Sequence, residues 1–289
     1  MIYIHATGIH NTIPTSGQPD LRAELKAMGA DNRRSDHFMR LAVIGAHKAA
    51  DGHELPAETA VYMTSGQGNT AVFNRICSAL RIEKNLPKPV DFINLLSNST
   101  GFYIASHLGL AGRNIFLTHH HFPVQMTLLT AQNDITQGLQ QTILAGGVDE
   151  WQTRPQLARK LMGIEETTVL GEGSNWLLLS PERENALAVL EVEKRCINEE
   201  ELTLRLRAES KHHDITIAFA PKITKSQAAR FMNQYPSFKR HNYEAACAYY
   251  ETLAFYALNS FIAAHKKGRL LHIDCGTNGY MLMTVEIIP

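Results

Sequence analysis

Gly171-Glu-Gly-Ser-Asn-Trp-Leu-Leu-Leu179-Ser180 decides how this chain is read, because it lies downstream of a second segment of the same character, Ala145-Gly-Gly-Val-Asp-Glu150. Each is an apolar strand that ends or begins at glycines: Gly146 and Gly147 in one, Gly171 and Gly173 in the other. Glycine permits positive φ and a close approach by a neighbouring group where a strand must turn. Either segment alone is an ordinary buried strand of an α/β protein. Their order is the more specific signal.

Outward from these strands the pattern alternates between periods of two and about 3.6, as an α/β chain requires. Strands are expected at 2–9, 59–64, 114–118, 142–145, 176–180, 187–192, 215–220, 270–273 and 280–288. Helices are expected over 35–50, which opens on good capping residues, and over 243–265, rich in alanine and aromatics. Proline and glycine fall at turns, as in Leu86-Pro-Lys-Pro89, and no low-complexity segment interrupts the chain.

Bulk properties exclude several function classes. The 289 residues suffice for a sizeable core, with 44% hydrophobic and 19% charged residues. Twenty-eight basic side chains balance 28 acidic ones, so no net field favours nucleic acid. Cys77, Cys196, Cys247 and Cys275 lack the spacing of a zinc ribbon or redox dithiol and read as free thiols. The chain opens on an alternating strand rather than a signal segment, and no apolar run reaches about 18 residues. No membrane span is expected, and the cytoplasm is the expected compartment.

The paired glycine strands resemble those of the β-ketoacyl synthase family of the thiolase fold, which carries an Ala-Gly-Gly-x-Glu strand end followed by a Gly-Glu-Gly strand start. Other segments match in order. Arg34-Ser-Asp-His-Phe-Met-Arg-Leu-Ala42 resembles the family's early helix, and Ala60-Val-Tyr-Met-Thr-Ser-Gly-Gln-Gly68 its next strand and glycine turn. Asn98 and Gly109-Leu-Ala-Gly112 resemble the helix that leads through Asn114-Ile-Phe-Leu-Thr118 into the strand before the nucleophile. The resemblance implies an α/β thiolase-like fold of two similar halves in αβαβα layers. A split near residue 165 is expected, giving halves 1–165 and 166–289 around one core.

The same comparison removes the catalytic residues. Counting back from Ala145 over the family's usual helix places the active cysteine at His121 or within a residue of it. The family's first catalytic histidine follows a strand here written Ile215-Thr-Ile-Ala-Phe-Ala220, which continues Pro221-Lys222 and has no histidine. Ser237-Phe-Lys-Arg-His241 fits the second histidine motif, so His241 is expected to survive alone. Asp274-Cys-Gly276-Thr-Asn278-Gly resembles a shortened form of the closing glycine loop. Condensation needs a thiolate that holds the acyl chain as a thioester, a task imidazole does not fill.

A ketosynthase-like chain without its nucleophile resembles the chain-length-factor branch, and short members of this kind resemble those of bacterial aryl polyene clusters. The resemblance implies no catalytic residue, no cofactor, and a heterodimer with an active β-ketoacyl-ACP synthase that meets acyl carrier protein through the complex. It also implies that the helix before Gly109 closes the partner's acyl tunnel. Leu96 is the expected gate, with Ser99 and Tyr103 one and two turns further on the same face. Other readings stay open at this point. One is a stand-alone acyltransferase or hydrolase using His121 or His241 on an acyl thioester. Another is a metal site at His119-His-His121, although only alternate strand residues share a face and no third ligand is evident, so none is expected. His241 also fits a local helix-start role, and Cys275 a displaced nucleophile without a histidine at useful spacing.

Overall fold

A computed structural model describes residues 1–13, 17, 19–30, 34–152, 154–212 and 214–289. The first part of the chain forms β1 (Ile2–Thr12), α1 (Leu21–Ala27), α2 (His37–Ala50), β2 (Ala60–Thr64), α3 (Thr70–Ser78), α4 (Pro89–Leu95), α5 (Ser97–Leu108), β3 (Asn114–Leu117), α6 (Pro123–Thr136), β4 (Ile143–Asp149), α7 (Pro155–Met162) and β5 (Glu172–Ser180). The rest forms β6 (Ala188–Val192), α8 (Glu199–Glu209), β7 (Ile215–Phe219), α9 (Lys225–Gln234), β8 (Lys239–Arg240), α10 (Ala254–Ala264), β9 (Arg269–Gly276) and β10 (Gly279–Ile287).

Hydrogen bonds run through the strands in the order β3-β2-β4-β5-β1-β6-β10-β9-β7-β8. Numbered within its own half, each set of five strands has the order 3-2-4-5-1, and the two sets meet where β1 pairs antiparallel with β6 over Ile2–Ile4. In both sets the second strand is parallel to its two neighbours and the fifth is antiparallel to its own. This is the internal repeat that the sequence does not display. Strand order divides the chain between Ser180 and Ala188, later than the split expected near residue 165, because β5 pairs with β4 and β1 and so completes the first set.

Alternation along the strands builds the layers. Ala60, Tyr62, Ile143, Ala145, Leu177 and Leu179 face a central core shared with Leu128 and Ala131 of α6 and Phe255 and Leu258 of α10, which also receives Leu190, Met281 and Met283 from the second set. Val61, Met63, Leu144 and Trp176 face outward onto α1, α2 and α5. Ile215, Ile217, Ile273 and Leu282 face the opposite outer layer, with Leu202 of α8 and Phe231 of α9. The result is the five-layer αβαβα arrangement, with β2, β4, β5 and β7 buried on both faces.

The glycines of the two signature strands act through close approach, not through positive φ. A Cβ on Gly146 would lie 2.1 Å from the Trp176 ring, and one on Gly173 would lie 2.4 Å from the Tyr250 ring. Gly147 is crossed by Thr252 and Phe255, and Gly171 by Ala248.

The structure departs from two expected helices. Residues 243–265 are helical only over Ala254–Ala264, after a short 3-10 turn at Tyr243–Ala245. The intervening backbone is drawn to the sheet instead: Tyr249 accepts from Gly171 N and donates to Val169 O, both at 2.8 Å. Leu96 does not share a helical face with Ser99 and Tyr103. It sits at the break between α4 and α5 with extended dihedrals, φ −71° and ψ 117°.

Candidate functional site

The loop after β3 turns into α6 at His119-His120-His121-Phe122, and Pro123 takes the first helical position, where its missing N–H costs nothing. Phe122 offers no side-chain cap, so the start of the helix is satisfied by His119, whose Nδ1 accepts from the N–H groups of His121 (3.3 Å) and Phe122 (3.0 Å). That bond gives His119 a structural task. Among the described residues there is no group of three or more His, Cys, Asp or Glu able to hold a metal ion.

His121 lies where three segments meet. Its Nε2 and the Thr277 hydroxyl share a hydrogen bond of 3.1 Å, and its main-chain oxygen accepts from Lys222 Nζ at 3.3 Å. Gly276 passes so near that an added Cβ would lie 2.9 Å from His121 Cβ. Partial burial, followed by the charges of His120, Lys222 and His119, lowers the pKa of His121 and favours its neutral form. The closing glycine loop is reduced to a tight hairpin: Gly276 pairs with Gly279, and Thr277 and Asn278 form its tip.

Ala220 is buried at the end of β7, donating to Ile273 O at 2.8 Å, and Pro221 and Lys222 continue from it. This loop, residues 163–165, Thr167, Thr168, Arg240 and Glu244 line a cleft of about 360 Å³. The structure therefore brings together His121, Gly276, Asn278 and the segment that begins at Ala220. It does not add His241. That ring shares a 2.8 Å hydrogen bond with Ser260 of α10 and packs on Tyr243, Phe261 and His265, and none of these contacts reaches His121. Burial, then the charge of His265, lowers its pKa.

Asp274 and Cys275, which precede Gly276 in the closing-loop motif, lie in buried surroundings. Asp274 is buried and accepts from Gln125 Nε2 (2.9 Å) and Cys275 N (2.8 Å), and burial pushes its carboxyl up to about 6. The His121 ring is bonded to Thr277 and not to this carboxylate. Burial, then Asp274, pushes the Cys275 thiol up to about 11, the reverse of an activated nucleophile.

The signature acids have a different place. Asp149 Oδ1 accepts from the Ser65 hydroxyl (2.8 Å) and Gly66 N (2.9 Å), and its Oδ2 accepts from Thr252 N (2.7 Å), joining the β2 turn to the segment before α10. Glu172, fully buried, holds His37 Nε2 at 2.7 Å and accepts from Trp151 N at 3.2 Å. These carboxylates fasten strand ends together. They lie on partners that only the fold makes neighbours.

No protein-family model and no curated protein matches the sequence. Solved structures do. The ishigamide ketosynthase/chain length factor aligns with a TM-score of 0.76 at 13% identity, over 100% of this chain and 99% of that one. A chain of AntDE:AntF, a type II polyketide synthase acyl-carrier protein in complex with its ketosynthase, aligns with a TM-score of 0.71 at 12% identity, over 100% and 99%. The ketosynthase from module 6 of the bacillaene synthase of Bacillus subtilis 168 aligns with a TM-score of 0.68 at 10% identity, over 100% of this chain and 72% of that one. Strand order, layer order and these full-length alignments give the chain the thiolase-like fold of those ketosynthases and of the ketosynthase/chain length factor.

Proposed function

We propose that the chain is a non-catalytic, ketosynthase-like subunit of the chain-length-factor kind. It pairs with an active β-ketoacyl-ACP synthase, shapes that partner's acyl tunnel, and meets acyl carrier protein through the complex. The observation that supports this reading is the start of α6: His121, read from the sequence as the nucleophile position, stands just before the helix with its ring tied to Thr277 and its carbonyl to Lys222. The aryl polyene type of pathway, among polyketide and fatty-acid-type routes, and a cytoplasmic setting belong to the same proposal. Among the described residues no helix is long and apolar enough to cross a membrane.

The surface supports pairing. β3 is an edge strand, hydrogen-bonded to β2 alone, and an open edge invites a second strand. The stretch from α3 to α5 exposes Ile82, Leu86, Phe92, Ile93, Leu96 and Phe102, apolar area of the kind that marks an interaction face. Expressed with its cognate ketosynthase, the chain is expected to co-purify as a dimer burying more than about 2,000 Å² in total. Light scattering that gives a stable monomer, together with failed co-purification, sinks the pairing.

Leu96 remains the gate in this reading, on different geometry. It is 58% exposed at the α4–α5 break, free to enter a partner, whereas Ser99 and Tyr103 are half-buried and Tyr103 packs on the outer core. Leu96→Ala is expected to lengthen the complex's products and Leu96→Trp to shorten them. Mass spectrometry of the released acyl chains reads this, and unchanged lengths from an assembled complex remove Leu96 from the tunnel.

A further inference from the structure

α3 does not stop where its buried face ends. It runs on as a single π turn over Ala79–Glu83 in which no residue is buried. Lys84, at φ 57°, closes this turn: its N–H and that of Asn85 (2.9 Å) both return to the Ala79 carbonyl. Pro87 and Pro89 then stiffen the way back into α4. The tip is therefore a fixed shape that stands away from the core. On it Leu80 is 48% exposed, Ile82 76% and Leu86 91%. Single bare leucines are ordinary, but three large aliphatic side chains between residues 80 and 86 form a patch.

The charge around this patch has one sign. Arg81, Lys84 and Lys88 lie between and beside the aliphatic side chains, all three exposed. The one acid of the tip, Glu83, is drawn back to the Ser78 hydroxyl at 3.3 Å. Three cations against one anion give the tip +2; without these four residues the 28 basic and 28 acidic side chains become 25 against 27, a net −2 for the rest of the chain. The next segment of the exposed stretch has another character. Residues 89–108, which form α4 and α5, expose Phe92, Ile93, Leu96 and Phe102 and contain no lysine or arginine, and their one acid, Asp91, is buried against Arg75 at 2.7 Å. Aromatic and aliphatic surface free of lysine is what a protein interface buries. Aliphatic side chains set among cations are the mark of a segment that lies on a membrane, where the apolar groups enter and long basic stems keep their charges at the headgroups.

We propose that the tip, residues 80–88, is a peripheral anchor that seats the chain on an anionic lipid bilayer and leaves α4, α5 and the β3 edge free for a protein partner. Ile82 and Leu86 enter the boundary between headgroups and acyl chains. Arg81, Lys84 and Lys88 meet the anionic headgroups. Because the chain as a whole is neutral and attraction to a charged surface fades within a Debye length of about 8 Å at physiological salt, only the tip is held, and it sets the orientation of the chain on the surface. A few side chains and three cations make such an attachment reversible. The anchor does not rest on the function proposed above.

Co-sedimentation of the intact chain with lipid vesicles tests the anchor. The wild type is expected to bind vesicles of equal parts phosphatidylglycerol and phosphatidylcholine, to ignore pure phosphatidylcholine, and to be released as salt rises. Each cation is expected to contribute about fivefold to partitioning, so Lys84→Gln combined with Lys88→Gln lowers it about 25-fold. Ile82→Ser combined with Leu86→Ser, which leaves the charge unchanged, is expected to lower it about tenfold. All four positions are exposed, and both double variants are expected to keep the wild-type circular dichroism. A wild-type chain that ignores the anionic vesicles at low salt overturns the anchor. So does equal binding to pure phosphatidylcholine, or binding that neither double variant weakens, since another surface then holds the lipid. The complex with a ketosynthase is expected to bind the same vesicles; loss of binding on pairing gives the tip to the protein interface and overturns the anchor as well. Failure to pair leaves the vesicle results of the isolated chain unchanged, so the two proposals fail separately.

Discussion

Gly146→Val is expected to abolish soluble, folded protein. The position is in the middle of β4, which hydrogen-bonds to β2 on one side and β5 on the other, and Gly146 lies opposite Trp176. Trp176 is fully buried, its indole N–H bonded to the Ser174 hydroxyl at 2.8 Å, and its ring stands where a side chain on Gly146 would go. The first added carbon would lie 2.1 Å from that ring, well inside van der Waals contact, and the next carbons of valine have no other direction to take. Neither partner can give way. The indole is packed between the sheet and α2, where Gly45 is pressed against Ser174 just as closely, a Cβ there meeting Ser174 Oγ at 2.1 Å. Overpacking a core usually costs about 1–3 kcal/mol, and a clash with an immobile ring at the centre of a sheet belongs at or beyond the upper end. The check is soluble yield and the urea midpoint, with Gly146→Ala as the milder case. A cooperative transition within about 0.5 kcal/mol of wild type for both variants shows that the contact can relax and that the strand pairing does not depend on it.

The contrast between what this sequence displays and what it conceals follows from the range of the interactions involved. Strand positions are legible because burial on both faces writes near-continuous apolar runs such as Trp176-Leu-Leu-Leu179, and α2 is legible because Asp36 caps a helically spaced apolar face. The segments that carry the motifs do meet: His121 contacts Gly276 and Thr277, and Lys222 of the segment after Ala220 bonds the His121 carbonyl. What escapes is set by long-range partners. The segment before α10 has helical composition, but the Tyr249 backbone bonds across to 169–171 and the Tyr250 hydroxyl donates to Asn11, contacts that replace helix bonds. The α4–α5 break at Leu96 has no glycine or proline to announce it. His241 matches a motif by its local spacing, yet its neighbours are chosen by the register of β8 on β7: Arg240 is placed opposite Ile217, and the His241 N–H is directed to the Ile217 carbonyl, toward the α10 face that bears Ser260. A one-dimensional pattern fixes where such a histidine falls in the chain, and the sheet fixes what it touches.

That displacement of His241 bears on the second large effect expected. The isolated wild-type chain, given acyl and malonyl thioesters of acyl carrier protein, is expected to form no carbon–carbon bond and release no carbon dioxide above background. His121→Cys is expected to change only half of this. A thiol at that position stands at the start of α6, where the helix dipole and Lys222 lower a thiol pKa, so it is expected to take up acyl groups from a thioester, visible as a mass shift on the intact protein. Condensation is a separate demand. The malonyl unit must lose carbon dioxide while hydrogen-bond donors hold the negative charge that develops on its thioester oxygen, and each such donor is worth about 10²–10³ in rate. In the proposed reading neither histidine of the resembled enzymes donates: the strand expected to carry one ends at Ala220 and continues into Pro221, and His241 bonds Ser260. Lys222 stands near the introduced thiol, and its ammonium is already directed at the His121 carbonyl. Loading without condensation is therefore the result that the proposed non-catalytic reading expects. Condensation by the His121→Cys variant means that Lys222 does the work of both histidines; condensation by the wild type ends the non-catalytic reading altogether.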